Sequence, residues 1–282
     1  MTDAADGQQH QLRVGANKLR SKASHRARII AANNILNALF MIVSALGVGA
    51  LLAANFTIPQ VFLIVGILNA IVAFYIFMLV PEYFLRFVAF LLTRFAYRFK
   101  VRGGENIPAE GAAILVCNHV AFVDPVLLMA ASPRPIRFIM DHQIFAIPVL
   151  GWFFRLLKAI PIASQRDDPE AYEKAFAAAR TTLDEGELLC IFPEGVLTRN
   201  GQLGEFKGGV MKLLGNNPVP VVPLALQNLW GSYFSRIEGS AMKRPFRRGL
   251  FNPVGLVARS AMQPAEVTPA ALQDRVADLL AT

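Results

Sequence analysis

The stretch AAILVCNHVAFVDP (112–125) decides how the second half of this chain is read. Its first six residues are apolar without alternation, and Asn118 and His119 end the run. An unbroken apolar run of this length reads as a strand covered on both faces, because a half-solvated strand would alternate. Four runs of the same kind follow: IRFIMD (136–141), AIPIA (159–163), ELLCIFP (187–193) and VPVVPLAL (219–226). Between them lie helical stretches, clearest at PEAYEKAFAAARTTLDE (169–185), which Gly186 ends. Strands alternating with helices predict one α/β domain over residues 101–282, with a mostly parallel, helix-covered central sheet.

Polar residues gather where those strands stop. Ligands of open α/β sheets bind beyond the carboxyl ends of strands. Asn118 and His119 follow one strand, Asp124 lies five residues past His119, and Glu194 follows LLCIF, so the four are candidates for a single site. Simpler roles stay open for each. Asp124 before Pro125 also has the form of a helix N-cap with proline at the first helical position. A strand-end histidine can be structural, and Glu194 can be a turn residue that accepts backbone N–H groups. The other histidines carry less: His10 and His25 lie in the N-terminal tail, and His142 stands beside Asp141 without further motif.

Upstream the composition changes. The chain has 282 residues, is 54% apolar and 17% charged, and carries a net +8; its mean hydropathy is +0.42. A soluble domain carries about 25% charged residues. Disordered, collagen-like and coiled-coil readings are excluded, since each needs a composition this chain lacks. Residues 29–81 contain no Asp, Glu, Lys or Arg, and that window holds two lengths, about 29–53 and 60–80, each near the ~20 residues that cross a bilayer. Asn55-Phe56-Thr57-Ile58-Pro59 separates them, with Pro59 suited to the start of a helix. A two-span transmembrane helical hairpin over 29–81 is predicted. Basic residues precede it (Arg13, Lys18, Arg20, Lys22, Arg26, Arg28) and follow it (Arg86, Arg94, Arg98, Lys100), while the connecting loop is uncharged. The positive-inside rule then places the basic tail (1–28) and everything after the hairpin in the cytoplasm. The long charged tail and the second span argue against a cleaved signal peptide. Asn33, Asn34, Asn37 and Asn69 read as interhelical hydrogen-bonding groups in preference to a polar transport path.

Residues 82–100, EYFLRFVAFLLTRFAYRFK, form an amphipathic helix on this reading, with seven aromatics among nineteen residues. It either lies in the headgroup layer or packs on the soluble domain. Cys117 and Cys190 sit in apolar runs and read as buried core residues; two cysteines make neither a disulfide framework nor a typical zinc site.

Four motifs in order carry a resemblance. Asn118-His119 with Asp124 looks like the N-H-x4-D signature of the glycerophospholipid acyltransferases, of the 1-acylglycerol-3-phosphate acyltransferase type. Phe192-Pro193-Glu194-Gly195 resembles their F-P-E-G motif, Phe206-Lys207-Gly208-Gly209 their F-K-x-G turn, and Val219-Pro220-Val221-Val222-Pro223 their last, proline-containing strand. The resemblance covers about residues 85–260. It implies a glycerol-3-phosphate acyltransferase-like α/β domain and a membrane-bound lysophospholipid O-acyltransferase. The acceptor would be a lysophospholipid hydroxyl and the donor an acyl thioester of acyl carrier protein (acyl-ACP) or coenzyme A (acyl-CoA). His119 would be the general base, a task that suits a neutral imidazole near pH 7, and Asp124 would orient it. Asn118, Glu194, Gly195 and Lys207 would serve the acceptor. No cofactor and no metal are implied, and the partners are the lipid bilayer and the two substrates.

The chain also departs from the family pattern. Phosphatidate-forming members usually follow the AIPI-like strand with an arginine, where this chain has Ala163-Ser164 and then Arg166. A Lys-Glu pair is replaced by His142-Gln143, and Val196-Leu197 displaces Thr198-Arg199 from F-P-E-G. A weaker phosphomonoester site points to a diester headgroup such as lysophosphatidylethanolamine, with lysophosphatidate as the alternative. The run HRARIIAANN (25–34) and the span after it resemble the closing helices of lysophospholipid transporters, which occur fused to acyltransferase domains in bacterial lysophospholipid-recycling proteins. A lysophospholipid transporter partner and a bacterial inner (cytoplasmic) membrane location follow as expectations. The basic run KRPFRR (243–248) lacks a nucleic-acid fold signature and suits anionic headgroups or an acidic carrier protein. A non-catalytic lipid-binding or transporter-associated module is the rival class.

Overall fold

The computed structural model describes residues 23–79, 81–232, 234–235 and 251–282. Most of the basic tail and the KRPFRR run therefore lie outside the described residues. The chain divides into two compact units, Met1–Ile76 and Phe77–Thr282.

The first unit is helical. Helix α1 covers Ala23–Ala53 and α2 covers Ile58–Leu79. Within them Ile30–Ala53 (24 residues) and Ile58–Leu79 (22 residues) are long and apolar enough to cross a membrane; at 1.5 Å per residue each reaches about 33 Å or more. Their large apolar side chains are exposed almost throughout, which fits association with a membrane. The link closes as its residues dictate. Asn55 takes a left-handed φ of 66°, a conformation asparagine tolerates past a helix end, and the amide of Phe56 returns to the Leu51 carbonyl. Gln60 Oε1 then accepts from the Thr57 amide and hydroxyl at 2.8 and 3.0 Å, with Pro59 in the first turn of α2. Asn69 differs from expectation: its Nδ2 donates to the Val65 carbonyl of its own helix at 3.0 Å, so no neighbouring helix is required to satisfy that bond.

After the last residues of α2, the second unit continues with helix α3 (Pro81–Ala96) and strand β1 (Tyr97–Arg102). The remaining elements are β2 (Ala113–Cys117), α4 (Asp124–Ala131), β3 (Ile136–Asp141), α5 (Pro148–Leu156), β4 (Ile160–Ile162), α6 (Pro169–Asp184), β5 (Leu188–Ile191), α7 (Gly209–Leu214), β6 (Val221–Gln227), β7 (Asn252–Ala258) and α8 (Pro269–Ala281). The seven strands form one sheet in the order β1-β7-β6-β2-β5-β3-β4. Strands β2 to β6 are mutually parallel, β7 is antiparallel to β6, and β1 is parallel to β7. This is the expected α/β architecture with a mostly parallel sheet.

The unbroken apolar runs have a direct cause. In β2, Leu115 and Cys117 enter one apolar cluster, with Leu85 of α3 and Leu127 and Leu128 of α4. Ile114 and Val116 enter the other, with Phe176 of α6, Leu213 of α7 and Val276 of α8. Strand β5 splits the same way, Leu188 and Cys190 against Leu189 and Ile191. Both faces are covered, so neither parity can be polar. Helix α6 begins where Asp168 accepts the Ala171 amide at 2.9 Å, and the chain leaves it through Gly186 at φ 78°.

One expectation needs correction. The helix expected over 82–100 ends at Ala96, and Tyr97–Arg102 is the edge strand β1. Tyr97 is buried at 2% exposure while Phe99 is half-buried, and the strand is held by pairing with β7, a partner some 155 residues away in sequence (Tyr97↔Asn252). Strand β7 was likewise not read from sequence. Helix α3 packs on this unit by one face, the second of the two alternatives left open for it. Glu82, Leu85, Ala89 and Thr93, spaced three or four apart, are buried in this unit, while Tyr83, Phe87, Phe90, Leu91, Leu92 and Phe95 stay exposed. Charges fasten its first turn. Glu82 Oε1 meets Lys158 Nζ at 2.7 Å and Arg137 at 3.4 Å, and Arg137 pairs in turn with Glu187.

Candidate active site

The site forms where β2 and β5 end. Asn118 continues β2 by one step with its side chain: Oδ1 accepts from the Leu226 amide at 2.8 Å and Nδ2 donates to the Leu226 carbonyl at 3.2 Å. The amide thus mimics a strand pairing with β6 and fixes where the next residue leaves the sheet.

That residue is His119. Its Nδ1 lies 2.8 Å from Asp124 Oδ2, with the side chains 20% and 0% exposed. Asp124 also accepts from the amides of Val120 at 2.7 Å and Ala121 at 3.0 Å. The helix-cap alternative for Asp124 is excluded here, because Asp124 is the first residue of α4, Val123 is the cap, and no side chain caps that end. The carboxylate instead folds back over the 119–121 turn. Burial pushes the Asp124 carboxyl up, opposed by His119 and by the amides of Ala121 and Val120. The His119 ring stacks on Phe192 with centroids 4.2 Å apart and planes 16° apart, and Phe192 packs in turn on Phe138 at 6.5 Å.

Glu194 is 4% exposed. Its Oε1 accepts from the His119 amide at 2.7 Å and its Oε2 from the Gly204 amide at 2.8 Å. Burial pushes this carboxyl up as well, against those two N–H groups. The resemblance implies a contact from Glu194 to the acceptor; in the structure its carboxylate touches main chain, as in the turn-residue alternative. Gly195 takes φ 69°, and a Cβ there would lie 2.9 Å from Lys207 Nζ. The amide of Lys207 donates to the Pro193 carbonyl at 3.0 Å, and its side chain is exposed beside Gly195.

The structure therefore brings Asn118, His119, Asp124 and Glu194 together and sets Gly195 and Lys207 next to them. A cavity of about 90 Å³ beside them is lined by Asn118, His119 and Glu194 together with Thr198, Asn228 and Trp230, among others. Sequence reasoning gave Phe192, Thr198 and Trp230 no role of their own. Phe192 lay inside a quoted motif, but nothing in the sequence aims its ring at His119. Cys117 and Cys190 are buried, and burial pushes both thiols up. His142 Nδ1 is 3.4 Å from Asp141 with both side chains about half exposed or more. Arg166 and Arg199 are exposed. Among the described residues, no three His, Cys, Asp or Glu side chains converge as metal ligands.

Known proteins share this segment. Residues 98–227 match the family model described as Acyltransferase. The chloroplastic 1-acyl-sn-glycerol-3-phosphate acyltransferase LPAT1 of Arabidopsis thaliana is 31% identical over 131 residues, which are 46% of this chain and 36% of that protein. The 1-acyl-sn-glycerol-3-phosphate acyltransferase of Pseudomonas aeruginosa is 33% identical over 129 residues, 45% of this chain and 49% of that protein. The chain thus spans half or less of the length of these two relatives. The crystal structure of the 1-acyl-sn-glycerophosphate acyltransferase PlsC from Thermotoga maritima aligns with a TM-score of 0.48 at 25% identity, covering 65% of this chain and 69% of that one. The segment similar to the Acyltransferase family, residues 98–227, includes His119, Asp124, Glu194 and Lys207.

Proposed function

We propose that the protein is a membrane-bound lysophospholipid O-acyltransferase that moves an acyl chain from an acyl-ACP or acyl-CoA thioester to the free hydroxyl of a 1-acylglycerol-3-phosphate-type lysophospholipid. The observation that carries this reading is the His119–Asp124 pair at the end of β2, inside the segment that matches the family. With Nδ1–H held by the buried carboxylate, Nε2 is the basic nitrogen. It takes the acceptor's hydroxyl proton as that oxygen attacks the thioester carbonyl. The C–S bond then breaks, the thiolate leaves, and the imidazolium returns the proton to sulfur. One ester forms, one thioester is lost, and no acyl-enzyme is needed.

The helices α1 and α2 serve as anchor, and the exposed aromatic face of α3 lies in the headgroup layer. Basic residues on both flanks of the uncharged window put the tail and the catalytic unit on the cytoplasmic side, at a bacterial inner membrane. A lysophospholipid transporter is the partner that the resemblance of residues 25–34 implies.

The names of the relatives make lysophosphatidate the first acceptor to test. A specific observation favours a diester headgroup instead: Ala163 and Ser164 follow β4, Ser164 Oγ donates to Asp167 at 2.7 Å, and Arg166 is exposed. Purified protein should acylate a lysophospholipid from one of the two donor types, and His119→Ala should remove the activity. A panel of headgroups separates the two acceptors, and a preference for lysophosphatidate ends the diester reading. Lipid binding without any turnover would favour the non-catalytic module.

A further inference from the structure

Both hydrogen-bonding groups of the His119 peptide are gripped by one segment. Its N–H donates to Glu194 Oε1 at 2.7 Å, and its carbonyl accepts from the Thr198 amide at 2.9 Å. The segment from 194 to 204 is itself wound around those two residues. Glu194 Oε2 accepts from the Gly204 amide at 2.8 Å. Thr198 Oγ1 donates to the Gln202 carbonyl at 2.8 Å and accepts from the Gly201 amide at 3.1 Å. The glycines let it close: a Cβ on Gly204 would sit 2.8 Å from Glu194 Oε2, and one on Gly201 2.7 Å from the Trp230 ring. Thr198 and Glu194 are 8% and 4% exposed. Asp124 and Phe192 hold the imidazole ring, and Asp124 also accepts from the Val120 amide next in the chain; the N–H and C=O of His119 itself are met by Glu194 and Thr198.

We propose that Glu194 and Thr198 are positioning residues that set the His119 backbone, so that the 194–204 segment acts as a clamp on the base rather than as a contact for the acceptor. The inference rests on the acyltransferase reading for its kinetic consequences only. A base must stand within hydrogen-bond reach of the proton it takes, and a displacement of about 1 Å can cost as much as 10²-fold in rate. Loosening the clamp should therefore lower kcat and leave substrate binding alone.

The test compares full-length Thr198→Val, Thr198→Ser and Glu194→Gln. Valine keeps the shape and the main-chain N–H but loses the hydroxyl that closes the turn. Glutamine keeps the length but sets an NH₂ group against a main-chain N–H. For Thr198→Val and Glu194→Gln, kcat should fall about tenfold or more, with KM for acceptor and donor within about twofold. Thr198→Ser should restore kcat. Hydrogen exchange reads the clamp without turnover: residues 119–124 should exchange faster in the two impaired variants, and strand 136–141 should not. A raised acceptor KM with unchanged kcat in Glu194→Gln would make Glu194 a substrate contact and overturn the proposal. So would wild-type kinetics, or wild-type exchange over 119–124, in Thr198→Val. A wild-type protein that transfers no acyl group sinks the acyltransferase reading alone, because exchange still judges the clamp.

Discussion

His119 Nδ1 and Asp124 Oδ2 stand 2.8 Å apart, and the carboxylate has no solvent exposure at all. It is held there by the amides of Val120 and Ala121. The pair is thus assembled within one turn of chain, between the last residue of β2 and the first of α4. That compactness makes the chemistry testable residue by residue.

Asp124→Asn keeps the volume but turns an NH₂ group toward donors. Two backbone N–H groups and the imidazole all need an acceptor at that point, so the amide leaves at least one of them unmatched. The favoured imidazole tautomer should change as well. Steady-state acyl transfer should show kcat lower by about 10²–10⁴-fold with little change in KM. Full activity in this variant would remove Asp124 from the mechanism.

Phe192→Leu separates packing from stacking. Leucine fills most of the buried space next to Phe138, so the loss of stability should stay below about 1.5 kcal/mol. It cannot offer His119 a flat face. Chemical denaturation and kinetics on the same protein should show nearly intact folding and a clear fall in kcat. Equal activity would mean that Asp124 alone is enough to hold the ring.

Acid should weaken the fastening of α3. Burial pushes the Glu82 carboxyl up, but the hydrogen bond from Lys158 and the charges of Lys158 and Arg137 outweigh it and hold the carboxyl below its ordinary 4.5. A carboxyl lowered in the folded state adds stability that is full above the unfolded value and is lost as pH falls through the folded one. The difference in Tm between wild type and Glu82→Gln should therefore be largest above pH 4.5 and shrink below it. A difference that does not change across that range would show that Glu82 acts through packing alone.

The exposed face of α3 gives a prediction about the membrane. Replacing Phe87 and Phe90, 58% and 50% exposed, with Asp should leave the core unchanged, since neither side chain is part of it. Activity on lysophospholipid presented in vesicles should fall, while activity on detergent-dispersed substrate should not. Equal losses in both assays would assign that face to folding and not to the bilayer.

Much of the second unit was legible in the sequence because its cause is local. A strand buried on both faces is apolar at nearly every position, the ion-paired Arg137 of β3 being an exception, so β2 to β6 announced themselves, and the uncharged window did the same for α1 and α2. The edge strands β1 and β7 did not. Tyr97-Arg98-Phe99-Lys100 continues the amphipathic pattern of the preceding helix, and only pairing with residues 252–255 makes it a strand. Propensity is a weak prior, and a distant partner overrides it.

At the site the division is similar. Residue types and spacing were enough to single out Asn118, His119, Asp124 and Glu194, because chemistry at strand ends needs a base and its carboxylate close together. What each of them touches was decided in three dimensions. Asp124 could have capped a helix, and Glu194 could have faced a ligand. The fold turned the first toward the imidazole and set the second against the amides of His119 and Gly204. Sequence by itself determined the candidate groups and the covered sheet, since both follow from residue chemistry and local periodicity. Only the tertiary structure decided that Glu194 and Thr198 brace the His119 main chain, since those contacts join residues 75 or more positions apart.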